Sequence, residues 1–191
     1  MLKANLLVLL LVATSACSYG LTSLKNPWEK KGVKTVTVPI FKNDTMEGGA
    51  DVDFSNALRL YLTSRSGKLK YVSGNADAYI EGVVKNITLT PASIQFGTAD
   101  TEAAGGLPKD RLLAVSYTMY ATISLSLIRS SDKKVLWSST FTQSKGMESG
   151  SYTDERRTSN VFIKDSAKKE TIRELADTMM MFAVDSLLEE F

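Results

Sequence analysis

Apolar residues recur along the chain with two different periods, and each period predicts a type of element. From Ala114 to Arg129 they occupy every second position, which is typical of a strand with one buried face. Two other stretches have a spacing of three and four, which indicates amphipathic helices. The helical stripes are Phe54, Ala57, Leu58, Tyr61 and Leu62 in the first stretch, and Ile172, Leu175, Ala176, Met179, Phe182, Ala183 and Leu187 in the second.

Shorter alternating stretches predict further strands. In 33–41, Val36, Val38 and Ile40 share one face, and in 135–142 Val135, Trp137 and Phe141 do so. The turn residues 130–133 join the last two strands into an antiparallel hairpin. A short piece at 68–72 follows the first helix, which Asp51 or Asp53 is expected to cap and Ser66-Gly67 to end.

The stretch 78–90 also has strand character, but its core face is ambiguous. Tyr79, Val83 and Ile87 have one parity, whereas Ile80 and Val84 have the other. The polar segments 91–110 and 143–160 are predicted to be irregular, and the first is long enough to be either functional or disordered.

The predicted order of elements is β-α-β-β-β-α. It favours an α/β (α+β) fold, a two-layer sandwich with two amphipathic helices on one face of a small mixed β-sheet. The first strand, first helix and next strand form a βαβ unit, in which the two strands run parallel. Residues 33–191 are predicted to form this single domain.

The N-terminus has the pattern of a secretory signal peptide. Lys3 precedes an apolar run that starts at Leu6, is too short to cross a bilayer as a helix and ends in small residues at Cys17. Cys17 is the only cysteine, which predicts a lipoprotein signal at 1–16 and a lipidated, tethering segment at 17–32. The alternative is an ordinary secretory signal that leaves Cys17 as a stray thiol. Ser18 favours sorting to the outer membrane.

Composition narrows the possible chemistry. The 191 residues carry a formal net charge of +2 and include no histidine, so an imidazole-based triad or metal site is excluded. Such a charge creates no strong field for nucleic acid. Asp77 and Glu81 are the nearest candidates for a carboxylate pair. They lie about 13 Å apart along a strand, too far for a retaining hydrolase, so the sequence predicts no enzyme, cofactor or metal.

The outward parity of the longest strand is made of hydroxyl residues without any charge. One explanation is β-propensity, because Thr and Tyr favour strands. The other is contact with a polar partner surface, since uncharged hydroxyls exchange water for partner hydrogen bonds without the cost of burying charge. The residues predicted for this partner interface are Ser116, Thr118, Tyr120, Thr122, Ser124, Ser138 and Thr140.

A βαβ unit predicts that the segments 42–51, 91–113 and 143–160 meet at one end of the sandwich. These segments carry lysines and arginines. Their charges are either simply solvated, or they form an anion-binding site, in which arginine is suited to phosphate. Acidic residues are interspersed among them. The predicted ligand-binding residues are Lys42, Lys109, Arg111, Arg156 and Arg157.

Several motifs together resemble one family. The lipobox Cys17 is followed by Tyr19; a strand ends in Val-Thr-Val-Pro-Ile-Phe-Lys-Asn-Asp-Thr at 36–45; Ala-Asp-Ala-Tyr-Ile-Glu-Gly-Val stands at 76–83; and a hairpin contains Val-Leu-Trp at 135–137. A closing amphipathic helix reaches Phe191. In order and spacing these resemble the lipopolysaccharide-assembly outer-membrane lipoproteins of the LptE family. Ser18 stands where that family often has Gly.

The resemblance implies a function. Such lipoproteins plug the lumen of the LptD β-barrel translocon, assist its folding and bind lipopolysaccharide during delivery to the cell surface. It therefore implies an outer-membrane, lipid-anchored protein facing the periplasm within a barrel lumen, with partners LptD and lipopolysaccharide. The alternative is an outer-membrane lipoprotein that binds another envelope ligand or assembly.

The lipid anchor is directly testable. Cys17→Ser removes the thiol that would be acylated, so we expect loss of palmitate incorporation and release of the protein from the membrane fraction. Metabolic labelling with palmitate followed by fractionation measures both. Unchanged labelling of Cys17→Ser would refute the anchor.

Overall fold

The computed structural model describes residues 26–65, 69–99, 109–148 and 165–189. Within these residues the fold contains two helices and six strands, and a short 3₁₀ helix at Glu29–Lys31 precedes them. The helices are α1, Ala50–Ser64, and α2, Asp165–Glu189. The strands are β1, Thr35–Thr37; β2, Lys42–Asn43; β3, Lys70–Tyr71; β4, Ala78–Phe96; β5, Leu112–Arg129; and β6, Val135–Glu148.

The strands form one mixed sheet in the order β3-β1-β4-β5-β6, and β2 pairs with β4. β1 runs parallel to both β3 and β4, so the predicted βαβ unit is present around α1. β4, β5 and β6 pair antiparallel. The predicted α+β class with two helices and a mixed sheet is confirmed.

Both helices bury their apolar stripes against the same face of the sheet. Phe54 and Leu58 of α1 and Met179 of α2 are almost fully buried, and they meet Ile123 and Leu125 of β5 in one core. Burial of each large apolar side chain stabilises the fold by about 1.5–3 kcal/mol. The helices therefore leave the opposite face of the sheet as its outer face.

Three residues predicted to face the core are exposed instead. Ile40 is 61% exposed because β1 ends at Thr37 and the chain turns Phe41 inward in its place. Val135 is 54% exposed because a register shift at Leu127/Ile128 changes its parity. Phe182 is 46% exposed, because the buried stripe of α2 is displaced toward Met180 and Val184.

A β-bulge resolves the ambiguous parity of β4. Ile80 and Val84 are buried in the first half of the strand. The register shift between Val84 and Asn86 adds one residue, so Ile87 and Leu89 turn toward the core in the second half. Even-numbered residues therefore face the core in the first half of the strand, and odd-numbered residues do so in the second half. The cause is the extra residue, because every side chain after it points to the opposite face of the sheet.

Two segments predicted to be irregular are partly strand. β4 continues to Phe96, past Pro91, and β6 continues to Glu148. Pro91 is tolerated because it adjoins a register shift and β4 has a strand on only one side there. The helix start also differs from the prediction: Gly49, at φ 90°, is the N-cap of α1, and Asp51 and Asp53 lie within the first turn.

The segment before β1 belongs to the core. Trp28 is 2% exposed, and its indole N–H donates to the carbonyl of Leu187 at 3.0 Å. The Asn26 amide donates to the carbonyl of Val33 at 2.7 Å, which folds this segment back on itself. Core packing therefore extends into the stretch predicted as a tether, and residues 17–25, with Cys17, lie outside the described residues.

One close contact fixes the position of the chain between β1 and β2, which both pair with β4. The Phe41 ring lies against the backbone of Gly82, and a Cβ at Gly82 would come 2.5 Å from ring carbons. Only glycine leaves room for this ring, which is 4% exposed. The backbone N–H of Phe41 donates to Ser55 Oγ at 2.9 Å, which holds the backbone at Phe41 against α1.

We expect Gly82→Ala to destabilise the protein by about 2–3 kcal/mol, because the new methyl group overpacks the Phe41 site. Chemical denaturation measures the loss. Gly146→Ala is the matched control, since a Cβ at Gly146 of β6 meets nothing within 4 Å. Equal stability of the two variants would contradict the assigned contact.

Candidate functional site

Hydroxyl side chains on β5 and β6 form a ladder across the outer face. Three cross-strand pairs are joined: Thr122 and Thr142 Oγ1 atoms are 3.1 Å apart, Ser124 Oγ and Thr140 Oγ1 3.0 Å, and Ser126 and Ser138 Oγ atoms 3.0 Å. The register places each pair directly opposite. The alternation in β5 dictates this ladder, because its other parity from Met119 to Leu127 is apolar and buried.

The predicted interface residues lie together, as the alternation indicated. Tyr120 is 44% exposed, and Ser138 and Thr140 are also exposed. The remaining predicted residues are half-buried between neighbouring strands; they are Ser116, Thr118, Thr122 and Ser124. Because every hydroxyl retains unused donor or acceptor capacity, the face can bind a polar partner surface.

β4 adds residues to this face that the sequence could not assign. After the bulge, Asn86, Thr88 and Thr90 stand beside Thr122, Tyr120 and Thr118 of β5. The signal that would have found them is the change of parity between Val84 and Ile87, which requires one inserted residue.

The result is a charge-free surface, which we call the hydroxyl face. Its four rows span β4, β5 and β6 from Val83 to Thr90 on β4, roughly 25 Å by 10 Å. The rows are Val83, Ser124 and Thr140; Asn86, Thr122 and Thr142; Thr88, Tyr120 and Ser144; and Thr90, Thr118 and Gly146.

Charged residues border the hydroxyl face. Glu81 stands beside Ser126, one row before the face begins. On the opposite side of β4, Lys42 of β2 stands beside Val83, and its ammonium lies 3.8 Å from Asp44. Lys85, the inserted residue, is 3.7 Å from the same carboxylate. These charges largely compensate one another at the border.

The predicted convergence of the basic loops is wrong for Lys42. Lys42 pairs at Val83, midway along β4, whereas Lys109 and Arg111 lie beyond its end at Phe96, roughly 40 Å away along the strand. The cause is the length of the β4–β5 ribbon, which extends well past the βαβ unit. Arg156 and Arg157 lie outside the described residues.

The far end of the ribbon combines cations with exposed apolar side chains. Ile94 is 62% exposed, Phe96 54% and Leu112 70%, and the pairing of Phe96 with Leu112 sets two of them side by side. Arg111 adjoins them, and its carbonyl accepts from the Gly97 N–H at 2.8 Å. We call Ile94, Phe96, Arg111 and Leu112 the ribbon tip. Sequence reasoning missed its apolar part because Pro91 hid the alternation of Ile94 and Phe96.

The carboxylate considered for hydrolysis has a structural role. Asp77 Oδ2 accepts from the backbone N–H groups of Lys34 and Thr35 at 3.0 and 2.9 Å, and from the Thr35 hydroxyl at 2.9 Å. The hydrogen bonds from Lys34 and Thr35 lower the pKa of Asp77 below its ordinary value. A carboxylate so engaged is a poor general acid, and it joins the start of β1 to β4.

No cluster of metal-ligating side chains occurs among the residues that the structure describes. Within the same residues, no helix combines the length and the apolar character needed to cross a membrane.

Comparisons with solved structures find distant likenesses. The PelC dodecamer from Paraburkholderia phytofirmans is 14% identical over 83% of this chain and 90% of that chain, with a TM-score of 0.48. A minor lipoprotein from Acinetobacter baumannii is 13% identical over 78% of this chain and 88% of that chain, with a TM-score of 0.39. Lipoprotein GNA1162 from Neisseria meningitidis is 12% identical over 73% and 98%, with a TM-score of 0.38. No inference about this chain rests on them.

No curated protein matches the chain in a sequence comparison. The LptE family model, described as lipopolysaccharide-assembly, matches residues 33–182, which run from the segment before β1 into the last turns of α2. This match includes the ladder strands, the ribbon and both helices. The chain therefore belongs to the LptE family of lipopolysaccharide-assembly lipoproteins of the outer membrane.

Proposed function

We propose that this lipoprotein plugs an LptD-like outer-membrane β-barrel, assists its assembly and binds lipopolysaccharide. Membership of the family supports the general role in lipopolysaccharide assembly, which is not enzymatic. The observation that carries the more specific proposal is the hydroxyl face. It gives the sandwich one surface that is polar and uncharged, on the side of the sheet opposite to the two described helices.

A barrel lumen is a suitable partner for such a face. The interior of an outer-membrane barrel is polar, so a plug must make hydrogen bonds rather than apolar contacts. Burying a charge there is costly unless a partner charge meets it, whereas a hydroxyl adapts to a donor or an acceptor. The Thr122–Thr142 and Ser124–Thr140 pairs also hold their side chains in place before binding, which lowers the entropic cost of association.

The ribbon tip provides the two chemistries that lipopolysaccharide requires. The lipid A part of lipopolysaccharide carries phosphates and acyl chains. Arg111 offers a guanidinium suited to phosphate, and Phe96 and Leu112 beside it offer apolar surface. Lys109 is the second cation of this end. By contrast, the ammonium of Lys42 already lies 3.8 Å from the carboxylate of Asp44.

A charge within the hydroxyl face should prevent barrel assembly. For Thr122→Glu we expect at least a tenfold loss of barrel recovered with the tagged lipoprotein, because an unpaired carboxylate would be buried at the contact. Pull-down from detergent-solubilised outer membranes measures it. Thr63→Glu, on the exposed side of α1, is the control.

The outcome also separates the proposal from its alternative. Circular dichroism checks that Thr122→Glu folds, since the side chain is half-buried within the sheet surface. An intact complex with a folded Thr122→Glu variant would show that the face is free. Recovery of a different envelope protein by the parent would favour the other kind of binding module.

Lipopolysaccharide binding is tested at the ribbon tip. We expect Arg111→Glu to weaken binding about tenfold, because it replaces a charge-assisted hydrogen bond to phosphate with repulsion. Phe96→Ser should weaken it by a similar factor through lost contact with acyl chains. Fluorescence titration with purified lipopolysaccharide measures both.

Lys42→Glu is the matched control for charge, since it reverses a cation on the same sheet outside the ribbon tip. We expect it to leave the affinity unchanged. A loss with Lys42→Glu equal to that with Arg111→Glu would assign the binding to overall charge rather than to the tip.

A further inference from the structure

The two lateral edges of the sheet differ in how they are protected. On one side β3 has two residues, and beyond β2 the distal half of β4 is open. That part of β4 carries Pro91 and the register shifts at Pro91/Ser93 and Ser93/Ile94. A proline, bulges and a very short strand are the usual means by which proteins prevent pairing at an edge.

The opposite edge, β6, has none of these protections from Trp137 onward among the residues that the structure describes. It is fourteen residues long, contains no proline, and pairs regularly with β5 from Trp137 onward. Between Val135 and Met147 its only charged residue is Lys145, whose ammonium lies 2.9 Å from Glu174 of α2. Long edges of this kind are templates for a further strand.

The sequence of β6 indicates which strand fits. Residues 138–144 read Ser-Ser-Thr-Phe-Thr-Gln-Ser, which is nearly the same in both directions about Phe141. Antiparallel pairing with a second copy about that residue sets Thr140 opposite Thr142, and Ser138 opposite Ser144. In this register, residues that lie opposite each other point to the same face of the combined sheet. A shift of the pairing by one residue would set residues of opposite faces against each other.

This pairing repeats the chemistry of the existing ladder. Thr140 and Thr142 already join hydroxyls of β5 at 3.0 and 3.1 Å, so a second copy would extend each row by one more hydroxyl. Phe141 would meet its own counterpart on the core side, and aromatic pairs across strands are favourable. Moving the twofold axis to Thr140 or Thr142 would instead place Phe141 opposite Ser139 or Gln143.

We propose that the open edge of β6 binds a second copy of this chain, forming an antiparallel, twofold dimer centred on Phe141. The two sheets become continuous and the two hydroxyl faces lie side by side. The seven central residues are far fewer than the roughly 20–30 a side of a standard interface. The dimer is therefore weak and forms at micromolar concentrations or above.

Cysteine cross-linking tests the register, because Cys17 is the only natural thiol. In the mature chain carrying Cys17→Ser, we introduce Thr140→Cys or Thr142→Cys with tags of different size. Opposite residues lie within disulfide range, but two copies of Thr140→Cys are diagonal, about 7–8 Å apart. We expect mild oxidation to cross-link the mixture at least ten times more than either variant alone.

Thr122→Cys on the inner strand β5, mixed with Thr142→Cys, is the control, and we expect no disulfide between copies in this mixture. Cross-linking of the mixture no greater than that of the single variants or of this control would overturn the proposed dimer.

Sedimentation equilibrium tests the association itself on the cysteine-free mature chain. We expect a concentration-dependent dimer that Thr140→Lys weakens at least tenfold, since it puts an exposed ammonium at the edge. Thr88→Lys, on the protected edge, should have no effect. A monomer at all concentrations up to about a millimolar, or equal loss with both variants, would overturn the proposal. Neither measurement requires a barrel or lipopolysaccharide, so the result is independent of the proposed function.

Discussion

The antiparallel pairing of β4 with β5 is the interaction on which the rest of the structure depends. It continues from Ala78 and Arg129 at one end to Phe96 and Leu112 at the other. The parallel strands and both helices assemble against its first half, where Ile80 and Leu127 are buried. Without that long pairing the helices would have no apolar sheet surface to cover. The second half of the β4–β5 ribbon would also not extend beyond the βαβ unit.

The alternation in β5 then gives the sheet two chemically different faces. Its buried parity supplies most of the sheet side of the core, including Met119, Ile123 and Leu127. Its other parity must meet water or a partner, and there it has hydroxyls where Lys, Glu or Arg would be ordinary. Hydroxyls cost less to desolvate than ions do. A surface of this kind does little for the solubility of the isolated domain and is suited to contact.

Local signals were sufficient to predict most of the fold. Alternation in β5 and the helical stripes of Phe54–Leu62 and Ile172–Leu188 each depend on side chains a few residues apart, so the sequence shows them directly. The hydroxyl face followed from the same alternation. The presence of two helices on one side was predicted from the number of apolar stripes alone.

The errors arose where distant pairing overrides local pattern. The bulge at Lys85 depends on how β4 meets β5, yet it decides which half of β4 presents Ile80 and which presents Ile87. Burial of Phe41 instead of Ile40 depends on the missing side chain of Gly82, which is far along the chain. The segment from Pro91 onward was predicted to be irregular, whereas Pro91 pairs with Tyr117 of β5. That pairing cannot be inferred from residues near Pro91 in the sequence.

The N-terminal segment of the described chain and the ribbon tip lie at opposite ends of β4. Trp28 fixes the entry segment to the last turns of α2, and the bonds from Lys34 to Asp77 hold it at the start of β4. The ribbon tip lies at the other end of that strand, roughly 60 Å away along it. A lipid on Cys17 would have nine residues in which to reach Asn26, about 30 Å when fully extended. A lipid anchor and a ligand at the ribbon tip would therefore lie at opposite ends of the β4–β5 pair, with the hydroxyl face between them.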